Sequence, residues 1–194
     1  MAQLKKLELM MQGGYIDLKY LDESGFCAWS GVSYSYSRTG EQKRLEQPKK
    51  RSKRLSVIGL LGQGKSFDYG LIEGTFNSQI YIKFMDKVAQ KAAQQFKETG
   101  RITVIVQDNS SVHRSKLSQS QWSRWNKLGL WLFFLPPYCS ELNAIEGEWH
   151  QIKAHEICGR MFADESELKE GVIAAIESRN QKNQVCVEQF SLAS

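Results

Sequence analysis

Residues 76–108 read FNSQIYIKFMDKVAQKAAQQFKETGRITVIVQD and contain two patterns of different period. In the first part, apolar residues recur every four positions, which predicts a long amphipathic helix with Asn77 as its N-cap and Gly100 at its end. The β-branched run at 102–106 predicts a strand that is buried on both faces. The segment therefore indicates an α/β domain, with Asp108 at the end of a buried strand.

The chain before this segment has the pattern of an antiparallel group of strands. Alternation over residues 15–21 predicts a first strand that stops at the acidic pair Asp22–Glu23. The other elements predicted in this part are a helix at 4–11 and strands at 29–37, 55–61 and 67–73. Asp22 is therefore a second acid at a strand end.

After Asp108 the chain alternates between helices and strands. The predicted elements are a helix at 116–128, a strand at 130–135, a helix through 142–152 and a last helix that begins at the capping-box-like sequence 164–167. We interpret residues 1–180 as one domain and residues 181–194 as a polar C-terminal tail.

Composition excludes several classes of protein. With 194 residues, 41% of them hydrophobic, the chain can bury its own core, so disorder and collagen-like repetition are excluded. No segment approaches the roughly 20 apolar residues of a membrane span, and the start lacks the features of a signal peptide. The four cysteines form no CxxC pair, which indicates reduced side chains. We therefore expect a cytoplasmic protein.

The positive charge is concentrated in one segment. The net charge is +5, but residues 43–54 alone carry +6 and the rest of the chain carries −1. This polar, basic segment suits a loop that contacts DNA phosphates, although a solvated surface loop has the same composition. The candidate DNA-binding residues are Lys43, Arg44, Lys49, Lys50, Arg51, Lys53 and Arg54.

Acids at two strand ends and on a following helix can form a metal site. Strand ends of an open mixed sheet meet at one edge, and a helix packed across that edge can supply a third carboxylate. Cations such as Mg²⁺ bind carboxylate oxygens, so this arrangement beside a basic loop fits metal-assisted chemistry on a phosphodiester. Helical periodicity does not choose between Glu146 and Glu148 as the third acid, and Glu141 and Glu156 are also nearby.

Three blocks of sequence carry a resemblance to a known family. They are YLDESGF at 20–26, VQDNSSVH at 106–113 and LPPYCSELNAIE at 135–146, followed by Trp149 and Lys153. Over about residues 13–178, the chain resembles the catalytic domain of the mariner-like transposases, in the branch found in bacterial insertion sequences. The resemblance implies a ribonuclease H-like fold, which is an α/β domain with a mixed sheet flanked by helices. It also implies an Asp-Asp-Glu metal site at Asp22, Asp108 and Glu146.

The same resemblance implies an activity. Members of the family are polynucleotidyl transferases that cut a phosphodiester at a transposon end and join the freed 3′-hydroxyl to target DNA. It implies two Mg²⁺ or Mn²⁺ ions as cofactors and double-stranded DNA, both transposon ends and target, as the partner of a nucleoid-associated homodimer. The alternative is a truncated or split-frame product that only binds DNA or pairs with a full transposase.

Three features depart from the family pattern. Ala144 stands where the family usually has a proline, which leaves the start of that helix looser. The 38 positions from Asp108 to Glu146 are slightly more than usual. Only 21 residues precede Asp22, whereas the family carries helix-turn-helix modules ahead of this domain. We therefore expect the module that reads the transposon end to be a separate partner.

The sequence suggests roles for three residues that neighbour the acids, and for His113 it leaves two alternatives. Glu23 would point to the other face of its strand, so it is left outside the site. His113 matches a histidine of the family that would orient a phosphate or a water near the metal, and the alternative is a packed or capping histidine. Asn109 is grouped with His113 as a residue that supports the metal ligands.

Two further motifs are rejected. GLLGQGKS at 59–66 fits the phosphate-binding loop G-x-x-x-x-G-K-[ST], but no helical pattern follows it, so we predict a hairpin turn that binds no nucleotide. His150 and His155 are five residues apart, which does not place two zinc ligands on one helical face. Tryptophans predicted to lie in the core rather than to stack on bases are Trp122, Trp125 and Trp131.

Overall fold

The computed structural model describes residues 2–28, 39, 54–62, 66–72, 74–137, 139–183 and 186–192. The strands in these residues are β1 (Ile16–Cys27), β2 (Arg54–Gly62), β3 (Ser66–Ile72), β4 (Ile102–Gln107), β5 (Leu130–Phe134) and β6 (Cys186–Phe190). They form one sheet in the order β5-β4-β1-β2-β3-β6. The pairs β1–β2 and β2–β3 are antiparallel, and the other three neighbouring pairs are parallel.

Helices cover both faces of this mixed sheet. They are α1 (Ala2–Gln12), α2 (Ser78–Thr99), α3 (Lys116–Lys127), α4 (Ala144–Gln151) and α5 (Glu165–Asn183). A short 3₁₀ turn at Ser140–Leu142 precedes α4, and a π-helical segment at Ile152–Ile157 follows it. Helices α2 and α3 pack on one face, and α1, α4 and α5 pack on the other. The predicted fold class is confirmed.

The long helix α2 forms as its sequence predicts. The Asn77 side chain accepts hydrogen bonds from the backbone of Gln79 and Ile80, and Gly100 ends the helix in the left-handed conformation at φ 71°. The residues of α2 that are buried against the sheet are Tyr81, Phe84, Met85, Val88, Ala89 and Ala92. Each large side chain buried in this way contributes about 1.5–3 kcal/mol, so this face is well anchored.

The opposite face is built around Trp149 of α4. Its indole ring meets Phe26 of β1 and Phe67 of β3 edge to face, with ring centroids 6.2 and 5.3 Å away. Leu168 and Val172 of α5 belong to the same cluster of buried side chains. Helix α4 therefore rests directly on the sheet, in contact with β1 and β2.

Strand β1 does not stop at the acidic pair, which corrects the prediction from alternation. It continues to Cys27 because β2 pairs with it in register from Lys19 to Cys27. Gly25 lies within this pairing, and the Arg54 guanidinium occupies the space that a Cβ atom there would need. Tertiary pairing therefore extends a strand through residues with weak intrinsic β-propensity.

The segment interpreted as a polar tail contains a strand. Helix α5 extends to Asn183, and β6 then pairs in parallel with β3 at the edge of the sheet. Only Phe190 of this strand is buried, because the strand lies at the sheet edge with its other side chains partly or fully exposed. Its five residues, CVEQF, do not alternate between apolar and polar, so an analysis of hydrophobic pattern did not find it.

The two ends of the phosphate-loop pattern lie in the antiparallel strands β2 and β3. Gly62 of β2 pairs with Ser66, which is the first residue of β3, so no helix begins at Ser66. Lys65, the strand predicted at 29–37 and the basic segment before Arg54 lie outside the described residues. No helix in the described part of the chain is both long and apolar enough to cross a membrane.

The three tryptophans predicted to lie in the core differ in burial. Trp125 is fully buried and donates through Nε1 to Asp86, 2.7 Å away. Trp122 is only partly buried. Trp131 is 49% exposed on the edge strand β5, so the core prediction was wrong for it.

Candidate active site

Two acids lie side by side because β1 and β4 are parallel neighbours. Their pairing ends at Tyr20 opposite Val106, and Asp22 and Asp108 each lie two residues further along. Tyr20 and Val106 both belong to the buried cluster on the α4 face. Since alternate residues of a strand share a face, Asp22 points toward α4. Parallel register thus brings the two predicted aspartates to one edge of the β1–β4 pair.

The third acid is brought near them by the close approach of α4. Gly59 is the cross-strand partner of Asp22, and a Cβ atom on it would lie 2.5 Å from Cζ2 of Trp149. The absence of a side chain at Gly59 therefore lets Trp149 pack directly over the strand. Glu146 lies three residues before Trp149, in the first turn of the same helix.

Asp22, Asp108 and Glu146 line one cleft of about 300 Å³. Other residues lining it include Asn109, Ser110 and Asn143, together with residues 135–137 that follow β5. Among the described residues, no three histidine, cysteine or acidic side chains are close enough together to form a ready metal site. The three acids therefore share a cleft without converging on one point, as expected for carboxylates that repel one another.

The structure separates Glu146 from the neighbouring acids that periodicity left open. Glu148 accepts from the Arg179 guanidinium of α5 at 2.8 Å, so its carboxylate is engaged in an ion pair. Glu141 is exposed on the 3₁₀ turn, and neither Glu141 nor Glu148 is among the residues that line the cleft. Of these three acids in the described residues, Glu146 shares the cleft with both aspartates.

Burial and nearby charge give Asp22 an unusual pKa. Its removal from water, followed by the charges of Glu23, Glu146 and Asp108, raises the pKa of Asp22 to about 7. A divalent cation among these carboxylates would offset both effects, because it supplies opposite charge and replaces lost water ligands. The donor set consists of carboxylate oxygens, which fits Mg²⁺ or Mn²⁺.

His113 connects Asp108 to an acid on the other face of the sheet. Its Nδ1 lies 2.7 Å from Oδ1 of Asp108, and its Nε2 lies 2.9 Å from Oε1 of Glu23. The ring is 1% exposed and packs on Tyr81, with the ring centroids 4.6 Å apart. His113 is therefore packed rather than open to a phosphate, and it holds Asp108 instead.

Protonation of His113 follows from these contacts. Burial alone would lower the pKa of His113, but the hydrogen bonds to Asp108 and Glu23 outweigh it and raise the pKa to about 9. The same hydrogen bond, together with one from the Ser110 backbone, lowers the pKa of Asp108. At neutral pH the pair is therefore imidazolium and carboxylate, the strong form of this hydrogen bond.

Glu23 is the residue that the sequence interpretation left out. It points to the face opposite Asp22, as alternation predicts, and it does not line the cleft. It nevertheless reaches His113, which follows it by 90 positions, and its charge contributes to the raised pKa of Asp22. No local pattern could have shown this contact.

Asn109 supports the loop that carries Asp108. Its side-chain amide donates to the backbone oxygen of Leu135 at the end of β5, and its side-chain oxygen accepts from Arg114 at 2.9 Å. The backbone N–H of Ser110 donates to Oδ1 of Asp108 at 3.0 Å. The carboxylate is therefore fixed by its own loop as well as by His113.

Two cations lie beside the strand that carries Asp22. Arg54 packs over Gly25, and the Nζ atom of Lys153 lies 5.5 Å from the centre of the Phe26 ring. Burial, followed by the charge of Arg54, lowers the pKa of Lys153. Of the seven basic residues predicted to bind DNA, Arg54 is the one within the described residues.

Comparison with known proteins identifies the family and the fold. A family model described as DDE superfamily endonuclease matches residues 17–169. A comparison with curated protein sequences gave no significant match.

Solved structures of Mos1 mariner transposase share the fold. The Mos1 paired-end complex with Mn has a TM-score of 0.66 at 14% identity, covering 91% of this chain and 58% of that chain. The Mos1 catalytic domain has a TM-score of 0.60 at 11% identity, covering 91% and 84%. The chain thus spans somewhat more than half of the Mos1 chain in the complex. It belongs to the DDE superfamily endonucleases and has the ribonuclease H-like fold of a mariner transposase catalytic domain.

Proposed function

We propose that this chain is a transposase catalytic domain that cuts phosphodiester bonds at transposon ends and joins the freed 3′-hydroxyl to target DNA. The proposal is carried by the cleft that Asp22, Asp108 and Glu146 line together, in a chain of the DDE endonuclease superfamily. The similar Mos1 structures include a strand transfer complex and paired-end complexes with Mn and with Mg, which supports the same substrate and cofactor class.

Each acid has a distinct part in this proposal. Asp22 and Asp108 would hold two Mg²⁺ or Mn²⁺ ions, and Glu146 would complete the ligand set from α4. When bound, the ions would activate a water or a 3′-hydroxyl and stabilise the leaving oxygen. His113 keeps Asp108 ionised and oriented through a 2.7 Å hydrogen bond, with Glu23 behind it. Asn109 holds the Asp108 loop against the end of β5.

The DNA backbone would be held by cations beside the cleft. Arg54 and Lys153 lie beside the strand that carries Asp22, and the charge of Lys153 interacts with that of Asp22. We propose that the six other basic residues of segment 43–54 make further contacts with DNA phosphates. Phosphate contacts of this kind position DNA without reading its sequence. We further propose a homodimer that acts on nucleoid DNA in the cytoplasm, with the end sequence read by a helix-turn-helix module.

Two substitutions on α4 test the proposal. Supercoiled DNA that carries transposon ends is incubated with Mg²⁺ and the purified chain, supplemented with a helix-turn-helix module. Glu146→Gln should reduce nicking by about 10³-fold or more, because it removes a metal ligand. Glu148→Gln, a matched change on the same helix, should leave nicking within about threefold, because Glu148 pairs with Arg179 outside the cleft.

Asp108→Asn distinguishes the proposal from its alternative. It should abolish nicking while DNA binding persists, because the phosphate-binding cations remain in place. If the wild-type chain binds DNA but never nicks it under any of these conditions, a product that only binds DNA or pairs with a full transposase replaces the enzyme. If nicking survives Asp108→Asn, the assigned site is wrong.

A further inference from the structure

Asn143 links the strand that carries Asp22 to the helix that carries Glu146. It is 4% exposed, and its Nδ2 donates to the backbone oxygen of Leu21 at 2.9 Å. Leu21 immediately precedes Asp22, so the hydrogen bond holds the peptide from which the Asp22 side chain extends. Through its own backbone oxygen, Asn143 accepts from the N–H of Glu146 at 3.0 Å. Asn143 is therefore hydrogen-bonded both to Glu146 and to Leu21, the residue before Asp22.

The side chain of Asn143 does not cap α4, although Asn143 is the N-cap residue of this helix. Asn143 is the N-cap residue of α4, and asparagine is favoured there because its oxygen accepts from the first N–H groups of a helix. Asn77 does this at the start of α2, with both hydrogen bonds at 3.0 Å. At α4 the side chain makes no capping hydrogen bond, and its buried Oδ1 accepts none from any described residue. The amide is used for β1 instead of for its own helix.

This arrangement gives up stability for position. A buried acceptor without a donor is unfavourable. A serine in the same place could cap the helix and would leave no such acceptor, but it would lose the hydrogen bond to Leu21. An unfavourable local arrangement of this kind is typical of functional sites, where the same residue has a second role. Asn143 itself lines the cleft, together with Asp22, Asp108 and Glu146. The purpose of its hydrogen bond to β1 should therefore be found in that cleft.

We propose that Asn143 is a positioning residue that sets the separation of the Asp22 and Glu146 carboxylates for metal binding. This inference rests on the proposed function, because it assumes that these two acids hold the ions. Asn143 does not itself need to touch metal or DNA. Residues that orient metal ligands from behind change metal affinity by about 10- to 100-fold when they are replaced.

The test measures Mn²⁺ binding to the full chain by electron paramagnetic resonance, together with thermal unfolding. Asn143→Ser should change the melting temperature little, because the new cap of α4 offsets the lost hydrogen bond to Leu21, but should weaken Mn²⁺ binding by about 10-fold or more. The Mg²⁺ concentration that gives half-maximal nicking should rise by a similar factor, with much of the rate recovered at saturating Mg²⁺. Asn77→Ser, the matched control at α2, should change neither measurement of metal dependence.

Asp108→Asn separates the possible failures. If Asp108→Asn loses Mn²⁺ binding but Asn143→Ser retains it within threefold, the role of Asn143 is wrong and the proposed function stands. If Asp108→Asn binds Mn²⁺ like the wild type, the proposed function itself is wrong. Asn143→Thr repeats the measurement in case the serine variant folds poorly. Loss of cooperative unfolding in both variants would also overturn the inference, because it would show that Asn143 serves the fold.

Discussion

Helices α2 and α4 lie on opposite faces of the same sheet and are held in opposite ways. Helix α2 has 22 residues, is capped at both ends by its own flanking residues and buries six side chains. Helix α4 has 8 residues, receives no capping bond from the Asn143 side chain and continues into a π-helical segment. A helix this short is marginal in isolation. Helix α2 therefore combines local caps with a long buried face, whereas α4, which carries Glu146, has no side-chain cap and depends on its tertiary contacts.

The largest expected effect compares the two buried tryptophans on these faces. Trp125→Ala in α3, where the ring packs against α2, and Trp149→Ala in α4 should each lower the free energy of unfolding by about 3–5 kcal/mol, measured in urea. Only Trp149→Ala should also weaken Mn²⁺ binding, because the ring that seats α4 on β1 and β2 is lost. Equal losses of Mn²⁺ binding in the two variants would show that general instability, not the seat of α4, controls the site.

The second largest effect is expected for Gly59→Ala, which adds a single methyl group beneath α4. In Gly59→Ala, the new Cβ atom would lie 2.5 Å from the Trp149 ring, so α4 must shift away from Asp22. We expect a loss of about 1–3 kcal/mol in urea unfolding, together with weaker Mn²⁺ binding. Gly70→Ala on β3 is the control, because its Cβ would meet the movable end of the Leu192 side chain. A Gly59→Ala variant with wild-type Mn²⁺ affinity would contradict this account of how α4 is placed.

The contrast between α2 and α4 also explains which features the sequence could predict. Helix α2, its caps and the strand that ends at Asp108 follow from local patterns of apolar and capping residues. The continuation of β1 through Gly25 depends on pairing with β2, which begins 27 residues after the end of β1. The edge strand β6 is only five residues long and shows no alternation of apolar and polar residues.

The candidate site was predictable in part for the same reason. Asp22 and Asp108 were identified as acids at predicted strand ends, and the motif match selected Glu146. Strand β1 continues past Asp22, but its pairing with β4 ends two residues before each aspartate. Their roles as metal ligands stay a prediction. The contact of Glu23 with His113, and the bond from Asn143 to β1, join residues that are 90 and 122 positions apart. Such contacts exist only once the sheet and α4 have assembled.

The raised pKa of Asp22, on the face of the sheet that α4 covers, should make the stability of the protein depend on pH. Unfolded Asp22 loses its proton near its ordinary pKa of 3.8, whereas the folded protein keeps it up to about 7. The folded state therefore binds more protons between these values, and this contribution to stability is lost as pH rises from about 4 to 7. Across pH 5 to 7 we expect the wild type to lose about 1–2 kcal/mol relative to Asp22→Asn. Thermal unfolding of both proteins across this range measures the difference, and parallel curves would contradict it.

The smallest effect is expected for Gly147→Ala, which tests whether the low helix stability of α4 limits the position of Glu146. Gly147 lies within α4 next to Glu146, is exposed, and has open space where a Cβ atom would be placed. Gly147→Ala should therefore raise the free energy of unfolding by about 0.5–1 kcal/mol, because alanine loses less backbone entropy in a helix. In α5 the same change has the opposite expectation, since a Cβ atom at Gly171 would lie 2.3 Å from the Phe162 ring. If contacts with β1 and β2 set the position of Glu146, Gly147→Ala should stabilise the chain without changing Mn²⁺ affinity. A parallel rise in Mn²⁺ affinity would show instead that fraying of α4 itself limits the site, and that the helix is not positioned by the sheet alone.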